Sequence, residues 1–165
     1  MSSEDGHGTS FRVALPAAPV TPAAAPASPA PAPTPSGPIG RGDGELILVV
    51  DDEAPILRVV CLTLETFGYR TLSAADGAAG LLTYQENRAA IRLVITALVM
   101  PNMDGPALIA ALKELDPALR IIATTGMASE ESLAVVICPG VARILPKPCS
   151  AQTILQTLRA ELDKA

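Results

Sequence analysis

The stretch Leu46-Ile47-Leu48-Val49-Val50-Asp51-Asp52-Glu53 joins five apolar residues directly to three carboxylates. A short, unbroken apolar run that ends at polar residues is typical of a strand buried on both faces, as in a parallel sheet. A segment of helical period follows at 54–67, and Gly68 is placed to end it. The stretch therefore predicts a buried strand, a group of carboxylates at its carboxyl end and a helix after them.

The same alternation of short apolar runs and longer segments of helical period continues to the end of the chain. It predicts βα units and hence a parallel sheet. Five strands and five helices in strict alternation predict an α/β domain of the doubly wound (βα)5 type. Ligands of such a domain bind beyond the carboxyl ends of the strands, where the strand order reverses. The predicted strands are 46–50, 70–74, 92–96, 120–124 and 142–145, and the predicted helices are 54–67, 77–87, 105–115, 129–137 and 150–162.

Length and composition limit the classes of protein to which the chain can belong. The 165 residues suffice for one ordinary domain and a tail. Hydrophobic residues make up 49% but aromatic residues only 2%, so the core must consist of Val, Ile, Leu and Ala. A net charge of -5 without a block of like charges gives no electrostatic footprint for nucleic acid or an anionic membrane. We therefore expect a protein or a small molecule as the partner.

The cysteines and the N-terminus favour a cytoplasmic chain. Cys61, Cys138 and Cys149 lie far apart, with neither the CxxC spacing of a zinc site nor the density of a disulfide framework. We interpret them as reduced thiols. No stretch approaches the roughly 20 apolar residues that span a bilayer. The first residues also lack the basic and apolar regions of a signal peptide.

Two further segments precede the domain, which we expect at 44–165. The Pro- and Ala-rich segment 16–43 cannot form a core and favours extended polyproline II, which predicts a semi-rigid linker. Before the linker, Gly-His-Gly-Thr at 6–9 predicts a turn, and apolar alternation across 11–15 predicts a strand. Residues 1–15 resemble the C-terminal end of a histidine-kinase ATP-binding domain, with a disordered tail as the alternative. That resemblance implies a C-terminal piece of a hybrid histidine kinase, too short to act on ATP.

Polar side chains follow three of the predicted strands. Asp51 and Asp52 follow the first, Thr125 follows the fourth, and Lys147, between two prolines, follows the fifth. Carboxylates this close repel each other unless a cation compensates, and Mg²⁺ takes oxygen ligands from one or two carboxylates and a phosphate. Together with the hydroxyl and the ammonium group they can bind a cation and a tetrahedral anion. The alternatives are that one aspartate or Thr125 caps a helix and that Lys147 is a solvated charge.

These residues, together with Met-Pro-Asn-Met-Asp-Gly at 100–105, resemble the receiver domain of two-component response regulators. The motifs follow the family's order and spacing across residues 45–163. The resemblance implies a flavodoxin-like fold with strand order 2-1-3-4-5, and transfer of a phosphoryl group from a histidine to an aspartate. A histidine kinase or a phosphotransfer protein would be the partner. It also implies Mg²⁺ at Asp51, Asp52 and the backbone carbonyl of Val99, with Thr125 and Lys147 contacting the phosphoryl group.

The family's phosphoacceptor aspartate would stand where this chain has Ala97. A methyl group has no lone pair to attack phosphorus, so Ala97 cannot form an aspartyl phosphate. Thr96 offers the nearest hydroxyl, but alternation along the strand should point it to the opposite side. Asp104 should instead cap the helix that begins near Pro106. Because the missing carboxylate is also a metal ligand in the family, we expect weak Mg²⁺ binding.

The leading interpretation is a receiver domain, not an enzyme, that cannot be phosphorylated and acts by protein contact. It is either a natural pseudo-receiver or a mutant of a working receiver. The alternative is a Mg²⁺-dependent phosphohydrolase or phosphotransferase built on Asp51 and Asp52. Such an enzyme needs further acidic ligands at later strand ends, where this chain has Ala97. Dinucleotide binding is disfavoured because the first βα turn lacks G-x-G-x-x-G. The sequence does not record the oligomeric state.

Overall fold

The computed structural model describes residues 2–4, 8–10, 40–126 and 140–164. Its main body is a parallel sheet of five strands with helices on both faces, as the alternating pattern predicts. The strands are β1 (Leu46–Val50), β2 (Arg70–Ala74), β3 (Ile91–Ala97), β4 (Arg120–Thr125) and β5 (Arg143–Pro146). The helices are α1 (Ala54–Thr66), α2 (Gly77–Asn87), α3 (Gly105–Leu115) and α4 (Ala151–Leu162).

The strand order in the sheet is β2-β1-β3-β4-β5, which confirms the predicted order 2-1-3-4-5 and the flavodoxin-like fold. All four neighbouring pairs are parallel. The order therefore reverses between β1 and β3, and a crevice opens at the carboxyl edge there. Pairing aligns the strand ends at that edge, with Val50 beside Thr96 and Ala97 beside Thr124.

Each face of the sheet packs against its own pair of helices. Alternate residues of β1, including Leu48 and Val50, belong to an apolar cluster with Tyr84 of α2 and Leu108 of α3. The intervening residues Ile47 and Val49 belong to a second cluster with α1 and α4, through Leu64, Leu155 and Leu158. The unbroken apolar run of β1 thus serves two cores, which explains why it shows no polar alternation.

Helix ends follow local capping rules. The carboxylate of Asp104 accepts a hydrogen bond from the Ala107 N–H at 2.9 Å, which confirms it as the cap of α3. Gly68 follows the end of α1 with φ of +91°, a left-handed conformation that glycine adopts without strain. The bounds of the five strands β1–β5 and of the described helices α1–α4 lie within one residue of those predicted. The helix predicted at 129–137 lies outside the described residues.

Near the N-terminus, two short strands, Ser2–Glu4 and Gly8–Ser10, pair in an antiparallel arrangement. The sequence pattern predicts a turn at Gly8 and Thr9, in the second of these strands, and gives no signal of the pairing. The strand predicted across 11–15 and most of the linker 16–43 lie outside the described residues. None of the helices in the described part of the chain is long and apolar enough to span a membrane.

Candidate functional site

The carboxyl edge of the sheet brings the predicted site residues onto neighbouring strands. Asp51 follows β1 directly, Ala97 ends β3, Thr125 ends β4 and Lys147 follows β5. The backbone carbonyl of Thr125 accepts a hydrogen bond from the Lys147 N–H at 2.6 Å. These positions therefore share one edge, at the reversal of strand order where α/β proteins bind ligands.

Lys147 and Asp51 form an ion pair at this edge. The Lys147 Nζ lies 2.7 Å from Asp51 Oδ2, and the two side chains are 18% and 6% exposed. The other carboxylate oxygen, Oδ1, accepts a hydrogen bond from the Glu53 N–H at 3.0 Å. Both oxygens of Asp51 are thus already engaged within the protein.

Lys147 also contacts a second carboxylate, Glu53, whose Oε1 lies 3.3 Å from Nζ. Burial alone would lower the Lys147 pKa, but the hydrogen bonds and charges of Asp51 and Glu53 outweigh burial and raise the pKa above its ordinary value. The ammonium group is therefore firmly charged. The alternative that Lys147 is merely a solvated charge does not fit a side chain that is 18% exposed and paired with Asp51. Glu53 was not a predicted site residue, although it stands beside the acidic pair in the sequence.

The acidic pair does not cap α1. The N-cap residue is Glu53, and its side chain makes no capping hydrogen bond. Asp52 is exposed at the mouth of β1, next to the buried Asp51. The alternative that Asp51 or Asp52 is the N-cap residue is therefore wrong.

Magnesium would need oxygen donors beyond this pair. Asp51 and Asp52 are the two carboxylates expected to bind the metal, and the Val99 carbonyl is the third expected ligand. Within the described ranges, no three His, Cys, Asp or Glu side chains lie close enough together to hold a metal ion. Asp51 also already has an ammonium group as its counter-ion. Asp51, Asp52 and the Val99 carbonyl would thus be the donors that this edge offers to a hard divalent cation.

Residue 97 is buried at the carboxyl edge of the sheet. The side chain of Ala97 is 3% exposed, and it packs in the cluster that faces α2 and α3. Its backbone carbonyl accepts a hydrogen bond from the Thr96 hydroxyl at 3.0 Å. Thr96 is itself fully buried, so its hydroxyl is not available to a ligand. Asp104 uses its carboxylate to cap α3. The side chains of Thr96 and Asp104 thus each make a hydrogen bond within the protein.

The loop after β3 is held at both ends. The N–H of Leu98 donates to the Thr124 carbonyl at 3.0 Å, and the N–H of Gly105 donates to the Leu98 carbonyl at 2.9 Å. Between them Val99 is 70% exposed. Asn102 has φ of +64°, in the left-handed region, and its amide lies 3.4 Å from Asp76 Oδ2 at the start of α2. The loop is thereby tied to the neighbouring helix.

A groove of about 550 Å³ begins beside Lys147 and runs along α1. One wall is formed by α1, where Val59 is 63% exposed, and the opposite wall by the segment from Pro148 to Ile154. Its walls are mainly apolar, and its polar end contains Asp51, Glu53 and Lys147. Half-buried Cys149 belongs to a wall, and burial raises the pKa of its thiol. No pattern in the sequence predicts this groove.

Comparison with known proteins identifies, across most of the domain, the receiver-domain family that the sequence motifs resemble. The family model described as "Response regulator receiver domain" matches residues 47–159. The sensor kinase CckA of Brucella abortus is 29% identical over 98% of this chain, which covers 17% of that kinase. The chain therefore spans only a small part of this relative's length.

Two solved structures resemble the chain in both fold and sequence. A receiver domain from Clostridium thermocellum has a TM-score of 0.68 and 29% identity, over 72% of this chain and 94% of that domain. The receiver domain of the hybrid histidine kinase CckA has a TM-score of 0.61 and 30% identity, over 71% of this chain and 98% of that domain. With its strand order and its family match, the chain belongs to the response regulator receiver domains, the signalling modules of two-component systems.

Proposed function

We propose that this receiver domain cannot accept a phosphoryl group at residue 97 and that it acts through protein contact. The observation that carries the proposal is the Ala97 side chain, a buried methyl group at the end of β3. Phosphoryl transfer needs a nucleophilic oxygen at this point of the edge, and a methyl group provides none. Thr125 and Lys147 would otherwise contact the phosphoryl group. Thr96 and Asp104 already make hydrogen bonds within the protein, and in this proposal neither takes over the role.

The proposal extends to the metal, which we expect to bind weakly. Receiver domains generally bind Mg²⁺ at the acceptor site. Here Asp51, Asp52 and the Val99 carbonyl would have to hold it without a carboxylate at residue 97. The Lys147 ammonium lies 2.7 Å from Asp51 and compensates part of the negative charge that would attract the metal. Both the missing ligand and the internal cation therefore work against Mg²⁺.

We further propose that the groove along α1 receives a helix of a histidine kinase or phosphotransfer protein. Val59 and Leu62 lie three residues apart on one face of α1 and are 63% and 64% exposed. An apolar surface of this kind beside a concave, mainly apolar groove fits the apolar face of a partner helix. Receiver domains interact with such kinases and phosphotransfer proteins. No phosphoryl transfer is needed for this contact.

The placement of the domain in a longer protein is also a proposal. The similarity to CckA extends over 98% of the chain, including the segment before the domain. It supports a cytoplasmic C-terminal piece of a hybrid histidine kinase, with 1–15 as a remnant of the ATP-binding domain, 16–43 as linker and 44–165 as receiver. Position 97 is then either a natural alanine or a substitution of the parent's aspartate. Sequencing the parent gene distinguishes the two, because an alanine codon there excludes a substitution.

The deciding experiment offers a small-molecule phosphodonor and Mg²⁺ to the chain with Ala97 and to Ala97→Asp, with intact mass as the readout. We expect the mass of one phosphoryl group to be added to Ala97→Asp alone. Ala97→Asn is the matched control, because it has nearly the same shape as Ala97→Asp without a carboxylate nucleophile. A phosphoryl adduct on the chain with Ala97 would contradict the proposal.

A further inference from the structure

Residues 40–44 contain three glycines and lie directly before β1. The N–H of Gly42 donates to the Phe67 carbonyl at 2.9 Å, and the N–H of Gly44 donates to the Gly68 carbonyl at 3.0 Å. Two backbone hydrogen bonds thus attach this segment to the turn between α1 and β2. A linker that only connects two regions needs no such bonds.

The glycines of the segment allow close approach to two buried or half-buried side chains. A Cβ on Gly42 would lie 2.5 Å from Cδ1 of Tyr69, whose side chain is 3% exposed. A Cβ on Gly40 would lie 2.4 Å from Cβ of Arg159 on α4. Gly42 has no positive φ, so it is the contact with the ring, and not the backbone conformation, that requires glycine.

Charged groups reinforce the attachment where the segment enters β1. Arg159 Nη1 lies 2.7 Å from Glu45 Oε1. The other carboxylate oxygen of Glu45 accepts a hydrogen bond from the Asp43 N–H at 2.6 Å. Glu45 therefore joins the segment to α4, in addition to the bonds to the turn after α1.

We propose that Gly40–Gly44 form a docked strap that fixes where the Pro-rich linker leaves the receiver domain. The strap lies at the amino end of β1, whereas Asp51 and Lys147 lie at the carboxyl edge. The strap thus lies at the end of the sheet opposite the candidate site. Release of the five strap residues would lengthen the tether by about 16 Å, at roughly 3.3 Å a residue. This role goes beyond the proposed function and holds whether or not residue 97 is phosphorylated.

Amide hydrogen exchange and ¹⁵N relaxation on the full chain test the strap. We expect the Gly42 and Gly44 amides to exchange at least about tenfold more slowly than in the unfolded chain, with order parameters near about 0.85. Gly42→Ala should push the segment off Tyr69, restore nearly unfolded exchange rates at Gly44 and lower the order parameters below about 0.6. Asp43→Ala is the matched control, because that side chain is exposed, and it should keep the protection.

Two further measurements keep the test decisive. The Asp51 amide, which donates to the Ala74 carbonyl inside the sheet, reports whether Gly42→Ala leaves the domain folded. If this variant unfolds, Gly40→Ala tests the other end of the strap, and we expect faster exchange at Gly42. Fast exchange of both strap amides in the wild-type chain would overturn the proposal. So would unchanged protection in a folded Gly42→Ala.

Discussion

Lys147 and Asp51 form a largely buried ion pair across the candidate site, with 2.7 Å between Nζ and Oδ2. The lysine comes from the loop after β5 and the aspartate from the end of β1, so the contact crosses the reversal of strand order. Ala97 offers no carboxylate to compete for the ammonium group. We infer that this pair determines both the charge of the site and its response to metal, and the first two predictions follow from it.

Ala97→Asp should raise the affinity for Mg²⁺ by at least about tenfold, which corresponds to about 1.4 kcal/mol. The added carboxylate supplies a ligand and a negative charge, and it competes with Asp51 for Lys147. Isothermal titration of Mg²⁺ against both chains measures the change. Ala97→Asn controls for shape and should bind no better than the wild type. Equal affinity of Ala97→Asp and the wild type would contradict the prediction.

Lys147→Met should lower the free energy of unfolding by about 1–3 kcal/mol, because it leaves the buried Asp51 without its counter-ion. Glu53→Gln breaks only the contact of the exposed partner, which is 58% exposed, and should change the stability by less than about 0.5 kcal/mol. Urea denaturation followed by circular dichroism compares them. Similar losses in the free energy of unfolding for the two variants would show that Lys147 stabilises the fold no more through Asp51 than through Glu53.

Acid should destabilise the domain partly through Glu161. This carboxylate is 3% exposed and contacts Arg120, Arg143 and Lys164. Burial alone would raise its pKa, but the hydrogen bonds and charges of Lys164 and Arg143 outweigh burial and hold the pKa below its ordinary value of 4.5. The folded state therefore keeps the charged form longer than the unfolded state. The resulting stabilisation is present above pH 4.5 and disappears as the pH falls through the lowered pKa.

The measurement is the free energy of unfolding between neutral pH and the acid limit of the folded state. Glu161→Gln should show a shallower loss of stability below pH 4.5 than the wild type. Glu86→Gln, at an exposed position of α2, should follow the wild-type curve. Parallel curves for Glu161→Gln and the wild type would assign the acid sensitivity to other carboxylates.

Val59→Asp should weaken binding to the partner histidine kinase or phosphotransfer protein by at least about tenfold, since it places a charge in the proposed helix contact. The matched control is Leu82→Asp on α2, because Leu82 is 61% exposed and Val59 is 63% exposed. Both substitutions are at the surface and should leave the unfolding midpoint nearly unchanged. Surface plasmon resonance measures the affinities. An equal effect of both variants would remove α1 as the contact surface.

The strands and their edge could be predicted because they depend on local patterns. The five apolar residues of Leu46–Val50 are buried against helices on both faces, and unbroken hydrophobicity reports that directly. Asp104 was predictable as a cap because the rule depends only on its neighbours along the chain. The strand order could be predicted only from the resemblance to receiver domains. That resemblance rests on the motifs at the strand ends.

The side-chain partners could not be predicted in the same way. The contact of Lys147 with Asp51 and Glu53 depends on the path of the loop after β5 and on side-chain rotamers, for which the sequence has no periodic signal. The groove depends on the distance between α1 and the segment after Lys147. Gly42 packs against Tyr69, and these two residues are separated in the sequence by β1 and α1. No local pattern can therefore predict their contact.

Ala97 is paired with Thr124 in the sheet through backbone groups, and its own side chain makes no polar contact. The backbone hydrogen bonds between β3 and β4 therefore do not depend on which side chain residue 97 carries. On the proposed function, one codon separates a domain that a kinase can phosphorylate from one that a kinase can only bind. Gain or loss of signalling by this route leaves the architecture intact, so homologues with opposite capacities can share the same fold and partner surface.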